Sequence, residues 1–468
     1  MRFAKRALAL AAAIVLPGGA PADPLGAVAA AAGHAAAVHF HGTGARTFEG
    51  RREIETLDVL GTSFVLRRCI AEVCSGTWFD GHRSFSFGLN DVALPDDEAQ
   101  SALRRTLAAI GSYAFAEPAF RANGGIVDAA GRNAYRVRAR GGETLVAHLD
   151  PATLAVRRVT DEKGTDIADF GNDARVGGAA IALTRRGPDG VRLESAAIEP
   201  GPIQAPAGAA VTFSGNPDVV LGDDPVPIVP CTLGGRAARC LLDTGASPSA
   251  IVLRLADALK LEPRGELELA GFSRFATGFV EAGPLTLGAA RIASARLAVI
   301  PPVPAARFDV VVGADLLGRL RVVFDRAHNR IAIGAPAEHP QPGAIPLRFR
   351  GGVPTLEAAF DGRAVRALFD SGDTSIVSLG YAAYRTGPLW PMIERVQTNG
   401  VGGSGDAFTV AIPDVRIGTL GLGSVRATVS RTQAGEHVGI GLWTRCLLDL
   451  DEARETLNCT DLTPGLKP

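Results

Sequence analysis

The sequence predicts a mostly β protein in which a β-rich α+β domain precedes two tandem β lobes. Short apolar segments of alternating polarity recur along the chain, and turns rich in Gly, Asp and Pro separate them, which is typical of β-strands. Residues 200–215 are rich in Pro, Gly and Ala and have the composition of a linker. Beyond this linker, a group of motifs around Asp243 returns around Asp370, 127 residues later, which indicates an internal duplication.

The first 22 residues predict a secretory signal peptide. Three basic residues stand among the first six, residues 7–16 are apolar but too few to span a bilayer, and residues 20–22 form a small-residue cleavage site. We therefore expect a mature chain that begins at Asp23 in the periplasm or outside the cell. No later apolar run reaches about 18 residues, so we expect no membrane span.

Composition limits the classes of partner. The chain has 468 residues, 47% of them apolar, and a formal net charge of −1. This length corresponds to about three domains, and the balanced charge argues against nucleic acid as a partner. The six cysteines lie in close pairs within predicted hairpins, which favours three local disulfides over six buried thiols, and no Cys or His cluster predicts a metal site. The predicted pairs are Cys69–Cys74, Cys231–Cys240 and Cys446–Cys459.

Residues 23–199 predict the first domain. After an Ala-rich, loose lead-in, strands are expected over residues 62–68 and 76–87, and Asp96 or Asp97 caps a helix that runs to about Ala109. A three-stranded meander follows over residues 134–160. Its Tyr-Arg-Val-Arg and Val-Ala-His-Leu-Asp-Pro-Ala-Thr segments weakly resemble half-barrel domains of the lipoprotein-carrier type. The resemblance implies binding of a lipid or peptide, and a packing or spacing domain is the alternative.

The duplicated part divides into residues 216–338 and 339–468. In each unit a hairpin leads into an Asp, a short helix follows, and an apolar pair ends in a Gly. These glycines, Gly313 and Gly439, are 126 residues apart. Two carboxyl groups about 3 Å apart cannot both ionise cheaply, so one holds a proton while the other accepts a proton from water. If the two units face each other, Asp243 and Asp370 therefore form a site for hydrolysis.

The motifs Asp243-Thr244-Gly245-Ala246-Ser247 and Asp370-Ser371-Gly372-Asp373-Thr374 resemble those of the aspartic peptidases, in the bacterial retropepsin-like branch. The resemblance covers roughly residues 216–460 and implies a bilobal double β-barrel that cleaves a polypeptide without metal or cofactor. It makes Asp243 and Asp370 the catalytic pair. It also implies supporting roles. Gly245 and Gly372 let the turns approach each other, and Thr244 and Ser371 lock the turns together. Ser247 and Thr374 hold the outer carboxylate oxygens. Gly313 and Gly439 support the Asp turns from beneath.

Each lobe also offers a candidate flap, a hairpin over the cleft, at residues 270–279 and 399–406. Phe272 and Phe275 of the first flap either line specificity pockets or are buried at its base. The second flap contains Gly402 and Gly403 within a formal GxGxxG pattern. No βαβ context accompanies this pattern, so we interpret it as a mobile hairpin rather than a dinucleotide site.

Three residues depart from the family pattern, and they keep a second function open. Asp373 places a third carboxyl beside Asp370, where it either faces solvent or raises the proton affinity of the pair. His437 replaces an apolar residue and is expected to disturb the support, and the first flap has no Tyr. The sequence predicts an exported aspartic endopeptidase. The alternative is a non-catalytic periplasmic peptide- or lipid-binding, chaperone-like protein on the same scaffold. The first domain is a pro-segment, a binding module or a spacer, and the oligomeric state does not follow from the sequence.

Overall fold

A computed structural model describes residues 23–271, 273–303, 307–401 and 403–461. The predicted signal peptide, Phe272 and Gly402 lie outside these described residues. The described chain is mostly β, as the sequence predicts. None of its helices has the length and the apolar character that crossing a bilayer requires. We refer to residues 23–199 as the N-terminal region, to residues 216–338 as the first repeat and to residues 339–468 as the second repeat.

The N-terminal region contains two antiparallel sheets and three helices. Helices α1 to α3 are Pro24–Ala31, Glu98–Gly111 and Pro118–Ala122, and single 3-10 turns span Ala35–Ala37 and Ala114–Ala116. Strands β1 to β14 are His39–Phe48, Arg51–Leu60, Ser63–Ile70, Val73–Phe79, Ser84–Phe87, Leu94–Pro95, Ile126–Gly131, Ala134–Arg138, Thr144–Leu149, Val156–Thr160, Asp166–Val176, Ala179–Arg186, Val191–Arg192 and Ser195–Ile198.

These strands form two seven-stranded sheets in which strands consecutive in sequence are neighbours, except that β14 pairs with β1. The first sheet has the order β14-β1-β2-β3-β4-β5-β6, and the second has the order β13-β12-β11-β10-β9-β8-β7. Helix α2 packs Leu107 and Ile110 into an apolar core with Val137 and Val159 of the second sheet. The predicted meander is present, and α2 begins where its cap predicts, because the Asp97 side chain accepts a hydrogen bond from the Gln100 N–H.

Two expectations for this region are wrong. The Ala-rich lead-in is not loose, since it forms α1. The Asp23 carboxylate accepts a hydrogen bond from the Gly26 N–H, Pro24 occupies the first turn, and the alanines favour helix. The strand expected over residues 76–87 is two strands, β4 and β5, because the chain turns at Asp80, whose carboxylate accepts hydrogen bonds from the N–H groups of His82 and Arg83.

The two repeats contain the remaining strands. In the first repeat and the segment before it, β15 to β27 are Val211–Phe213, Asp218–Val220, Ile228–Leu233, Arg236–Asp243, Ala250–Val252, Arg264–Ala270, Arg274–Ala282, Leu285–Leu287, Ala290–Ile292, Ala295–Ile300, Val310–Gly313, Arg321–Asp325 and Arg330–Gly334. In the second repeat, β28 to β38 are Ile345–Pro346, Arg348–Arg350, Val353–Phe360, Arg363–Asp370, Val377–Gly380, Met392–Gly400, Gly403–Ile417, Leu420–Ser430, Glu436–Gly439, Cys446–Asp451 and Thr456–Asp461. Helices α4 to α6 are Leu253–Ala258, Ala314–Leu317 and Tyr381–Thr386, and 3-10 turns span Arg326–His328, Ile440–Thr444 and Glu452–Arg454.

The two repeats have the same strand order. The ten-stranded sheet of the first repeat contains the run β17-β18-β25-β19-β24-β21-β20, and the eight-stranded sheet of the second contains β30-β31-β36-β32-β35-β34-β33. In both runs the strand that ends in an Asp, β18 or β31, lies parallel to the strand that ends in a Gly, β25 or β36. A six-stranded sheet joins the repeats, because β26 of the first pairs with β37 of the second.

Part of the predicted linker, residues 200–215, forms a strand. Val211–Phe213 form β15, which pairs with β23 at one edge of the ten-stranded sheet. The Val-Thr-Phe sequence has high β propensity, and the exposed edge of β23 supplies its hydrogen bonds. The limits of the domains otherwise stay predictions.

All three disulfides join adjacent strands of hairpins. Cys69–Cys74 links β3 to β4, Cys231–Cys240 links β17 to β18, and Cys446–Cys459 links β37 to β38. These are the pairs that the spacing predicts, and the described residues include no free cysteine. Three disulfides are compatible with an oxidising compartment outside the cytoplasm.

Two contacts between the N-terminal region and the first repeat lie close to elements of the repeated motif. The buried Asn90 amide donates hydrogen bonds to the Asp315 carboxylate at 2.7 Å and to the Arg296 carbonyl at 3.0 Å. The tip of the β3–β4 hairpin lies against strand β20, where Glu72 pairs with Arg264 at 3.2 Å. The first contact involves Asp315, which follows the Gly-ended strand β25 by two residues, and the second involves β20, the strand that leads into the first predicted flap.

Candidate active site

The two sequence-predicted aspartates end equivalent strands. Asp243 is the last residue of β18 and aligns with Gly313 on β25, while Asp370 is the last residue of β31 and aligns with Gly439 on β36. The preceding Leu242 and Phe369 are fully buried, so the apolar strands fix the position at which each turn begins. Both carboxyls are half-buried at the surface between the repeats.

Thr244 and Ser371 join the two turns through four hydrogen bonds. The Thr244 hydroxyl donates to the Phe369 carbonyl at 2.6 Å, and the Ser371 hydroxyl donates to the Leu242 carbonyl at 2.8 Å. Each hydroxyl also accepts the other residue's backbone N–H, at 2.9 Å for Thr244 N–H and 3.0 Å for Ser371 N–H. Both side chains are completely buried, so these bonds fix the distance between the turns without competition from water.

Gly245 and Gly372 are required because each turn touches the opposite aspartate. A Cβ atom added to Gly245 would lie 2.5 Å from the Asp370 Cγ, and one added to Gly372 would lie 2.7 Å from the Asp243 Cγ. Any larger residue would displace the opposite carboxyl. Each glycine N–H donates to the aspartate of its own turn, Gly245 to Asp243 Oδ1 at 3.0 Å and Gly372 to Asp370 Oδ1 at 2.9 Å.

The two carboxyls are neighbours, because each lies against the glycine of the other aspartate's turn. Burial raises the pKa of Asp243 well above the ordinary Asp value, and the charge of Asp370 and a hydrogen bond with it raise this pKa further. Close carboxyls cannot both ionise cheaply, so the pair holds one proton over a wide pH range. This arrangement can activate a water molecule and protonate a leaving group, because it supplies a base and an acid at one point.

The first repeat also matches a known family. Residues 229–316 match the family model described as "aspartyl protease". This segment contains Asp243, Gly313 and the first predicted flap, and it ends before Asp370. No curated protein matches the chain. The aspartyl protease match thus covers one half of the paired site, and the shared strand order and the hydrogen bonds between the turns relate the other half to it.

Two supporting roles differ from those that the resemblance implies. Ser247 and Thr374 are exposed, and in the described chain neither side chain hydrogen-bonds to an aspartate. Instead the buried Ser249 links the aspartate turn of the first repeat to Gly313 and Asp315. Its hydroxyl donates to Asp315 Oδ1 at 2.5 Å and accepts the Gly313 N–H at 2.8 Å. The turn carries Ser247 outward, and the following strand then brings Ser249 inward beside β25.

Asp373 does not simply face solvent, and its effect on the proton affinity of the pair stays a prediction. Its Oδ1 accepts hydrogen bonds from the backbone N–H and the hydroxyl of Ser375, and its Oδ2 accepts one from the Ser378 hydroxyl. The carboxylate therefore braces its own turn, as Ser249 and Asp315 brace the turn of the first repeat.

His437 does not disturb the support as expected. Strand β36 keeps its parallel register beside β31, with His437 opposite Leu368 and Gly439 opposite Asp370. The imidazole turns toward the aspartates, and its Nδ1 lies 3.4 Å from Asp370 Oδ2. Burial lowers the pKa of His437, but the hydrogen bond and charge of Asp370 and the charge of Asp373 outweigh this effect and raise it above the ordinary His value.

The two predicted flaps meet at their tips. They are the hairpins β20–β21 and β33–β34, and Gly271 of the first lies in contact with Val401 of the second. Phe275 and Val401 pack against an apolar cluster of the first repeat that includes Leu241 and Val311. Phe275 is therefore half-buried at the inner face of its hairpin, whereas Gly403 is exposed at the start of β34.

Sequence reasoning missed Asn90, Ser249 and Asp315. Asp315 stands two residues after Gly313, and burial raises its pKa although hydrogen bonds from Ser249 and Asn90 act in the opposite direction. A carboxylate so close to the support Gly is the one sequence signal that pointed to this network. Nothing in the sequence connects it with Asn90, which is 225 residues away.

Proposed function

We propose that this protein is an exported aspartic endopeptidase, in which Asp243 and Asp370 activate one water molecule to hydrolyse peptide bonds. The observation that carries the proposal is the reciprocal geometry of the two turns. Each glycine lies against the opposite aspartate, and Thr244 and Ser371 link the turns by four buried hydrogen bonds. The aspartyl protease match over residues 229–316 supports the chemistry, and it implies a peptide substrate.

In the proposed mechanism the two carboxyls divide the work between acid and base. The protonated carboxyl hydrogen-bonds to the scissile carbonyl oxygen and polarises it. The ionised carboxyl takes a proton from the water, whose oxygen attacks the carbonyl carbon. The tetrahedral intermediate collapses when the amide nitrogen receives a proton and the C–N bond breaks. The raised pKa of Asp243 favours this residue as the carboxyl that holds the proton in the resting enzyme.

The proposed substrate is an extended polypeptide that lies between the aspartate turns and the hairpins β20–β21 and β33–β34. The apolar cluster around Leu241 and Val311, with Phe275 at its edge, offers contacts to an apolar side chain of the substrate. Because the hairpin tips are in contact, an internal segment of a polypeptide reaches the aspartates only after the tips separate.

The test compares cleavage of an unfolded protein by the mature wild-type chain, Asp243→Asn, Asp370→Asn and Asp166→Asn. Asp166 is a matched control, because it is an exposed aspartate of the N-terminal region. We expect the activity of the first two variants to fall about a hundredfold to ten-thousandfold. Asp166→Asn should keep the wild-type activity. Equal cleavage by wild type and both site variants would reject the proposal. Peptide binding by the wild type without any turnover would favour the alternative, a non-catalytic peptide-binding, chaperone-like protein.

Export rests on the predicted signal peptide and on three disulfides that suit an oxidising compartment. Mass spectrometry of the exported protein tests it. We expect the active form to begin at Asp23, so that the N-terminal region remains attached. An active form that begins near residue 216 would show instead that this region is a removable pro-segment.

A further inference from the structure

His437 breaks the equivalence of the two aspartate turns. The position two residues before the support Gly is Val311 in the first repeat, where it is buried among apolar side chains. In the second repeat the same position is His437, opposite Leu368 in the parallel pairing of β31 and β36. The equivalent registers therefore place Val311 and His437 at the same position of their sheets, but only the second repeat has an ionisable group there.

The contacts of the ring favour a charged imidazole. Nδ1 faces Asp370 Oδ2 at 3.4 Å, and Nε2 lies 3.3 Å from the Ala434 carbonyl oxygen. A carbonyl and a carboxylate oxygen both accept hydrogen bonds, and only the doubly protonated imidazolium donates from both ring nitrogens. The side chain of His437 is 18% exposed, so water competes little for these contacts.

Two acidic groups raise the pKa of His437 by their charge. Asp370 lies on β31, and Asp373 follows in the same turn and adds a second negative charge. Ser378, opposite the histidine on β32, donates its hydroxyl to Asp373. The adjacent residue Glu436 pairs with Arg363 at 3.1 Å, so the positive charge of Arg363 is offset by its own partner.

The two aspartates therefore differ in their support for negative charge. Asp370 receives the Gly372 N–H at Oδ1 and faces His437 at Oδ2. Asp243 Oδ1 accepts a hydrogen bond from the Gly245 N–H. The position equivalent to His437 in the first repeat is occupied by the apolar Val311. A nearby cation stabilises a carboxylate and does not stabilise a neutral carboxylic acid.

We infer that His437 is a positioning residue whose imidazolium holds Asp370 as the ionised member of the pair and leaves the shared proton on Asp243. This inference rests on the proposed function of the same site. In its terms Asp370 takes the proton from water, Asp243 polarises the substrate carbonyl, and the proton of His437 is not transferred. The histidine thus decides which aspartate of an otherwise symmetric pair is ionised. It also lowers the pH at which the pair loses its first proton.

A titration that needs no catalysis tests the contact. The mature chain is labelled with ¹³C at histidine Cε1 and titrated by NMR. The signal of His437 is identified by its loss in His437→Gln. We expect the midpoint of His437 to lie above the ordinary value of about 6.5 and to fall by at least about one pH unit in Asp370→Asn. His328, which pairs with Asp325 at 2.8 Å far from the site, serves as the internal control and should not move. A His437 midpoint that is the same in both proteins overturns the inference.

The pH dependence of kcat/KM tests the consequence for the pair. Because His437→Gln removes a cation beside Asp370, we expect its acid limb to move about one to three units to higher pH, whereas His328→Gln leaves the limb in place. If Asp243→Asn and Asp370→Asn abolish cleavage but His437→Gln keeps the wild-type acid limb, this inference fails and the proposed function stands. If the wild type cleaves nothing, the proposed function fails, and the titration alone decides whether His437 is coupled to Asp370.

Discussion

Thr244 and Ser371 each donate their hydroxyl to the strand that leads into the other residue's turn, and each accepts the other's backbone N–H. Thr244 and Ser371 stand in different repeats, yet together they form one closed, buried ring of hydrogen bonds. The separation of Asp243 and Asp370 depends on this ring, because each aspartate immediately precedes one of its members.

We predict that Thr244→Val and Ser371→Ala each reduce the free energy of unfolding by about 1–3 kcal/mol, because each leaves a buried carbonyl and a buried N–H without a partner. The double variant should lose less than the sum of the two, since both substitutions break the same ring. Urea denaturation of the four proteins measures this coupling. Strict additivity would show that the two turns are stabilised independently.

Gly245→Ala and Gly372→Ala should abolish activity while the chain still folds. The added methyl group would lie 2.5 Å or 2.7 Å from the opposite aspartate Cγ, so the carboxyl must move away from its partner. Gly421→Ala is the control, because nothing lies within 4 Å of its added Cβ and its backbone is not left-handed. Peptide cleavage and circular dichroism of the three variants check the prediction, and normal cleavage by Gly245→Ala would contradict the close approach of the turns.

Glu452→Gln should stabilise the protein at neutral pH. Burial, and then the charges of Asp315 and Asp451, raises the pKa of Glu452 to about 8, and neither carboxyl oxygen has a hydrogen-bond partner in the described chain. Between the ordinary Glu pKa of about 4.3 and this value, the folded state keeps a proton that the unfolded state releases, so stability falls as pH rises. Glutamine has no such proton to lose.

At pH 7 the difference in unfolding free energy between Glu452→Gln and wild type should be about 3 kcal/mol larger than at pH 4. Thermal or urea denaturation at the two pH values measures it. Glu357→Gln is the control, since this side chain is 65% exposed and pairs with Arg366 at the surface. An equal pH dependence in wild type and Glu452→Gln would mean that Glu452 is ionised in the folded protein.

Asn90→Ala should weaken both stability and catalysis, although it lies outside the repeats. The Asn90 amide donates to Asp315 and accepts the Arg296 N–H at 2.8 Å, and Asp315 in turn holds Ser249 beneath the Gly313 support. We expect a loss of about 1–3 kcal/mol in unfolding free energy and a lower kcat. Asn216→Ala, which removes an exposed hydrogen bond from the Asp218 N–H at a position without a left-handed backbone, is the matched control. A kcat unchanged in Asn90→Ala would indicate that the N-terminal region is a spacer.

Much of the site was predictable because local patterns determine it. An apolar strand that ends in Asp-Thr-Gly or Asp-Ser-Gly fixes where each turn lies, and the spacing of 126 or 127 residues predicts two equivalent units. The close cysteine pairs predict disulfides within hairpins, and the structure contains these pairs. The prediction failed for the Ala-rich segment after Asp23. This segment has no helical repeat of apolar and polar residues, yet it forms a helix because of the helix propensity of alanine and the cap at Asp23.

The sequence by itself determined the β class, the duplication and the candidate aspartates, because these follow from residues that are neighbours along the chain. Only the tertiary structure decided which groups surround the aspartates. His437 is 67 residues from Asp370, and Asn90 is 225 residues from Asp315, yet each pair is in contact. Side-chain direction also depends on the packed sheet, which turns Asp373 and Ser249 inward and leaves Ser247 and Thr374 exposed. Such contacts depend on how distant strands pair, and no short stretch of sequence contains that information.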